Sequence, residues 1–102
     1  MSAQHVPSAD APVEEQVRAI IAAVFDVEAE RVSDDAYLGV DLGADVLDQV
    51  ELECELEDAF SIYFDEGEFE FSRQTRVRDV VAQVRGKLNA KGAAVAKAEG
   101  RS

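Results

Sequence analysis

Apolar residues recur at helical spacing in three parts of the chain, and this periodicity predicts three amphipathic helices. The first apolar stripe is Val13, Val17, Ile20, Ile21, Val24 and Phe25, the second follows Leu52, Leu56, Ala59 and Phe60, and the third is Val77, Val80, Val81, Val84 and Leu88. No part of the sequence has a secure strand pattern. We therefore expect an all-α fold, a small four-helix bundle of three longer helices and one short one.

The ends of these helices carry capping signals. Asp10 and Pro12 suit the start of the first helix, and Thr75 suits the cap of the last. Asp45 is expected to cap the second helix, which runs from Val46 to about residue 60. The short fourth helix is predicted within residues 61–71, with an irregular crossing as the alternative, because Gly67 and neighbouring acids interrupt an apolar alternation there.

A long segment without periodicity, residues 26–44, joins the first two helices. It is too apolar for a free linker, since it contains Val27, Val32, Tyr37, Leu38, Val40 and Leu42. We expect an ordered loop that lies across the core, with one short turn at most. The predicted organisation is a flexible tail at 1–10, a folded domain at 11–89 and a flexible basic tail at 90–102.

The second helix has two apolar faces. With 100° per residue from Val46, its core stripe lies between about 220° and 320°, whereas Leu47, Val50 and Cys54 lie between about 40° and 100°. Acidic residues Asp48, Glu51, Glu55 and Asp58 lie between these two faces. Exposed apolar residues rimmed by charge are typical of protein-binding surfaces. The alternative is that Val50 and Cys54 pack under the preceding loop.

The charge distribution indicates which kinds of partner this chain could bind. The chain has 22 acidic and 10 basic residues, a net charge of −12, and residues 26–70 hold seventeen of the acids and one base, Arg31. This excess repels nucleic acid and favours partners with basic surfaces. One cysteine and one histidine exclude an internal disulfide and a zinc site, and the acids lack the spacing of a calcium loop, so no metal site is expected.

Other functional classes find little support in the sequence. No histidine, cysteine and serine pattern indicates catalysis, and no apolar run approaches the roughly 20 residues of a membrane span. We therefore expect a non-enzymatic, monomeric, cytoplasmic protein that does not insert into membranes.

The stretch from Asp41 to Leu52, which reads DLGADVLDQVEL, resembles the acyl carrier protein motif D-L-G-x-D-S-L-D followed by an apolar residue, Glu and Leu. The resemblance extends over Val13 to Leu88 and implies the acyl carrier fold. It places Val46 at the family's attachment serine, which accepts 4′-phosphopantetheine from coenzyme A. Valine has no oxygen to accept the arm, and no serine or threonine lies between Ser33 and Ser61, so no cofactor is expected on the sequence as written.

The resemblance implies a docking protein for basic-surfaced enzymes of fatty acid, lipid or polyketide synthesis. Its expected contact residues are Asp45, Leu47, Asp48, Val50, Glu51, Cys54, Glu55, Glu57 and Asp58. Two alternatives stay open at this point. One is a specialised acyl carrier protein whose serine at position 46 has been substituted, and the other is an unrelated regulatory interaction module.

Overall fold

The computed structural model describes the backbone of residues 11–100 and the side chains of residues 11–91. Within this part, three α-helices are present: α1, Val13–Phe25; α2, Val46–Phe60; and α3, Val77–Gly100. A single turn of 3-10 helix, Ala29–Arg31, lies between α1 and α2. The described backbone contains no strand beyond an isolated bridge between Tyr37 and Arg76. The all-α prediction is confirmed.

The predicted apolar stripes form one core. Its fully buried side chains come from all three helices and from the loop before α2: Val17, Ile21, Leu38, Leu52, Leu56, Val77, Val80 and Val84. Helix α1 packs against both α2 and α3. Ala59 is the exception, because it is exposed at the edge of the α2 stripe rather than buried in it.

The long loop between α1 and α2 is ordered and lies across the core, as predicted. Val32, Leu38 and Leu42 are buried, whereas Val40 is exposed. The loop also supplies acceptors for α3, whose first amides have no partner within the helix. The carbonyl of residue 36 accepts from Val77 N at 3.0 Å, and that of residue 34 accepts from Arg78 N at 2.9 Å. These bonds fix the loop to the start of α3.

Residues 61–71 form an irregular crossing and not a short helix, so the second of the two predicted alternatives is correct. Side chains, rather than a helical ladder, satisfy the backbone in this segment. Glu57 Oε2 accepts from Phe64 N at 2.9 Å, and Gln83 binds both the amide and the carbonyl of Glu70, at 2.7 and 3.0 Å. The buried rings of Phe64 and Phe69, 4.9 Å apart, attach the crossing to the core.

The helix ends differ from the predictions in two places. The hydroxyl of Thr75 does not cap α3: it accepts from Ser72 N, and the carboxylate of Asp79 accepts from Arg76 N at the start of the helix instead. At the other end, the backbone of α3 continues past residue 89 to Gly100, into the segment for which a flexible basic tail is predicted. Alanine and lysine, which favour helix, dominate this stretch. Asp10 and the predicted tail at 1–10 lie outside the described residues.

Candidate functional site

The site is built on the first turn of α2, which a reciprocal cap holds in place. Asp48 N donates to Asp45 Oδ1 and Asp45 N donates to Asp48 Oδ2, both at 3.0 Å. The predicted cap is therefore present, with the carboxylates of both residues used in it. Two of the helix's otherwise unpartnered amides are thus satisfied next to Val46, and the orientation of that residue is fixed.

The outer face of α2 is apolar and open to solvent. Val46 and Leu47 are each 75% exposed, Val50 is 56% exposed, and Cys54 is exposed as well. Val50 and Cys54 therefore do not pack under the loop, which removes that alternative. We call Val46, Leu47 and Val50 the apolar face of α2. Fully buried Leu52 and Leu56 lie on the opposite side of the same helix, so the two-faced pattern of the sequence is present in the fold.

Acidic side chains lie beside this apolar face. Glu51, Glu55 and Asp58 are exposed, and none has a side-chain hydrogen bond or ion pair among the described residues. Glu57, which was expected to contact partners, is half-buried and its carboxylate binds the amide of Phe64. Its structural role in holding the 61–71 crossing was not visible in the sequence, because the partner lies seven residues further along an irregular segment.

Glu53 is half-buried on α2, at the edge of the core stripe that lies away from the acidic residues. Burial raises the pKa of its carboxyl, and repulsion from the nearby Glu57 raises it further. The charged form of Glu53 is thus disfavoured in the folded state, so ionisation of this carboxyl destabilises the fold.

The residues at the first turn do not fit a covalently attached phosphate arm. Position 46 has the accessibility that an attachment point needs, but its side chain is a hydrocarbon. Asp45 and Asp48 offer carboxylates that are already engaged in the cap, and no hydroxyl side chain occurs between residues 38 and 60. This turn has the exposure of an attachment site without its nucleophile.

Comparison with known proteins assigns the family. The model of the phosphopantetheine attachment site matches residues 15–84. An acyl carrier protein of Akkermansia muciniphila is 43% identical over 75 residues, which are 74% of this chain and 91% of the relative. The chain belongs to the acyl carrier protein family. Acyl carrier protein 3 of Ralstonia nicotianae is 36% identical over 82 residues, 80% of this chain and 92% of the relative. An acyl carrier protein of Nitratidesulfovibrio vulgaris is 36% identical over 75 residues, covering 74% and 96%.

Membership of the acyl carrier family agrees with the all-α fold. Within residues 11–91 of this family member, no group of three or more acidic, histidine or cysteine side chains has the geometry to hold a metal ion. None of its described helices is long and apolar enough to cross a bilayer.

Two features of this acyl carrier family member were not predicted from its sequence. Tyr63 and Val40 are exposed apolar residues outside α2, although Val40 was expected to pack on the core. A wide groove also lies on the α1 side of α2 and contains the unexpectedly exposed Ala59. The helical angle of Ala59, about 220°, lies at the boundary of the core stripe. This position was the one indication in the sequence that Ala59 could be exposed.

Proposed function

We propose that this protein docks enzymes of fatty acid, lipid or polyketide synthesis without carrying 4′-phosphopantetheine at position 46. The observation that supports this most directly is the pairing of an exposed apolar face on α2 with a first turn that has no hydroxyl. Family membership gives the class of partner, because the relatives are acyl carrier proteins.

Docking uses the two kinds of surface on α2 differently. Leu47 and Val50 supply apolar area that is removed from water on binding, which holds the complex together. Glu51, Glu55 and Asp58 attract a basic rim on the partner and speed the encounter. Because these carboxylates have no ion-pair partner among the described residues, binding a partner's arginine or lysine breaks no salt bridge within the described fold.

The attachment claim is tested by intact-mass measurement after incubation with coenzyme A, magnesium and a phosphopantetheinyl transferase. The unaltered chain is expected to keep its mass, and Val46→Ser is expected to gain one arm because the surrounding turn is retained. A gain on the unaltered chain would refute the proposal. Failure of both proteins to react would favour a regulatory module that does not serve acyl metabolism.

The docking claim is tested by reversing charge on α2. Glu51→Lys combined with Asp58→Lys is expected to weaken binding to a carrier-dependent synthase, and the effect is expected to grow at low salt because screening falls. Glu66→Lys combined with Glu70→Lys is the matched control, since both residues are exposed on the 61–71 crossing and the change in net charge is the same. Equal losses from the two pairs would show that only overall charge matters.

A further inference from the structure

An open groove lies on the α1 side of α2, separate from the apolar face. It has a volume of about 1010 Å³ and is bounded by α1, the 3-10 helix Ala29–Arg31 and α2. Partly buried side chains of Ile20, Val24 and Val27 give it an apolar lining, and exposed Ala23 and Ala59 leave it open on two sides. On α2 the groove is lined by Glu51, Glu55 and Ala59, so it shares two carboxylates with the proposed docking surface but contains no residue of the apolar face.

The rim of this groove is acidic, and its acids have no internal partners. Its carboxylates are those of Glu15, Asp26, Glu28, Glu30, Glu51 and Glu55. None of these makes a side-chain hydrogen bond or ion pair among the described residues. The two cations of the lining are already bound: Arg18 pairs with Asp34 at 2.9 Å, and Arg31 donates to the carbonyl of Asp41 at 2.7 Å. The free charge of the groove is therefore negative.

We propose that this groove binds a basic amphipathic helix of a partner protein. An apolar stripe on the partner helix covers Ile20, Val24 and Val27, and flanking lysines or arginines meet the rim carboxylates. The size is suitable, because two helical turns about 10 Å across occupy about 850 Å³. A fatty acid anion or an acidic helix is repelled by the same rim. The inference requires neither an attached arm nor docking through Leu47 and Val50.

The test uses a helical peptide of about 15 residues with a leucine stripe flanked by lysines, and a control peptide of the same composition in which the stripe is scrambled. Affinities are measured by fluorescence anisotropy at physiological ionic strength. Ala23→Arg places bulk and positive charge in the groove, and Ala82→Arg makes the same change at an exposed position of α3 outside it. We expect Ala23→Arg to lower the affinity for the peptide about tenfold or more, and Ala82→Arg to lower it less than about twofold.

The outcomes separate this inference from the proposed function. Leu47→Ala combined with Val50→Ala is expected to leave peptide affinity unchanged, since these residues lie outside the groove. Equal binding of the scrambled peptide, or equal losses from the two arginine variants, would overturn the inference in favour of diffuse charge attraction. Binding of decanoate, or self-association of the chain, that is abolished by Ala23→Arg would assign the groove to a different occupant and overturn it as well.

Discussion

Leu56 and Leu47 lie on opposite sides of α2, and the structure predicts very different responses to alanine. Leu56 is fully buried, so Leu56→Ala is expected to lower the free energy of unfolding by about 3 kcal/mol. At about 4 to 8 °C per kcal/mol, this lowers Tm by about 12 to 24 °C. Leu47 is 75% exposed, and a quarter of a leucine's burial energy is only about 0.5 kcal/mol. The higher helix propensity of alanine offsets part of that loss.

The assay is urea denaturation followed by far-ultraviolet circular dichroism, with both variants measured beside the unaltered chain. Leu47→Ala is the matched control, because it makes the same chemical change in the same helix. Comparable losses of unfolding free energy in the two variants would mean that Leu47 packs against the fold. That result would contradict an exposed apolar face on α2.

Three further substitutions test other parts of the structure. Glu53 has a pKa raised above its ordinary value of 4.5, so the folded state holds the proton more tightly and stability falls as pH rises through the raised pKa. Glu53→Gln should therefore raise Tm at pH 7 and not at about pH 3, where both side chains are neutral; an unchanged Tm at pH 7 would contradict the burial of this carboxyl. A Cβ at Gly39 would lie 2.8 Å from Arg73 Cα, so Gly39→Ala should destabilise by about 1–3 kcal/mol. Gly86, inside α3, has no atom within 4 Å of such a Cβ, and Gly86→Ala should stabilise by about 0.5–1 kcal/mol. A Gly39→Ala variant that melts no lower than the unaltered chain would contradict the close contact at Gly39, and a Gly86→Ala variant that melts lower would contradict the open space at Gly86.

The helices and most of the core were predictable because periodicity reports directly on burial. Val17, Ile21, Leu52 and Val84 were all placed by spacing alone, and all are fully buried. The cap at Asp45 was equally predictable, since Asp45 and its partner Asp48 lie within one turn of the helix. Local interactions of this kind leave a local signal in the sequence.

What could not be predicted depends on partners that are distant in sequence. The carboxylate of Glu57 was assigned to docking, yet it binds a backbone amide of an irregular segment. Thr75 is a residue type that commonly caps helices, but its hydroxyl accepts a hydrogen bond from Ser72 N in the preceding turn. The groove beside α2 arises from how α1 and the 3-10 helix approach that helix, and such relative placement has no periodic signature.

The proposed function requires that this chain occupy the carrier-binding surface of an acyl-processing enzyme without taking up an acyl group. The most direct measurement is the rate of a carrier-dependent synthase with its loaded carrier as substrate, in the presence of increasing amounts of this chain. We expect the apparent KM for the loaded carrier to rise with kcat unchanged, and the mass of the chain to stay constant. An unchanged KM, or an acylated chain recovered from the reaction, would contradict the account.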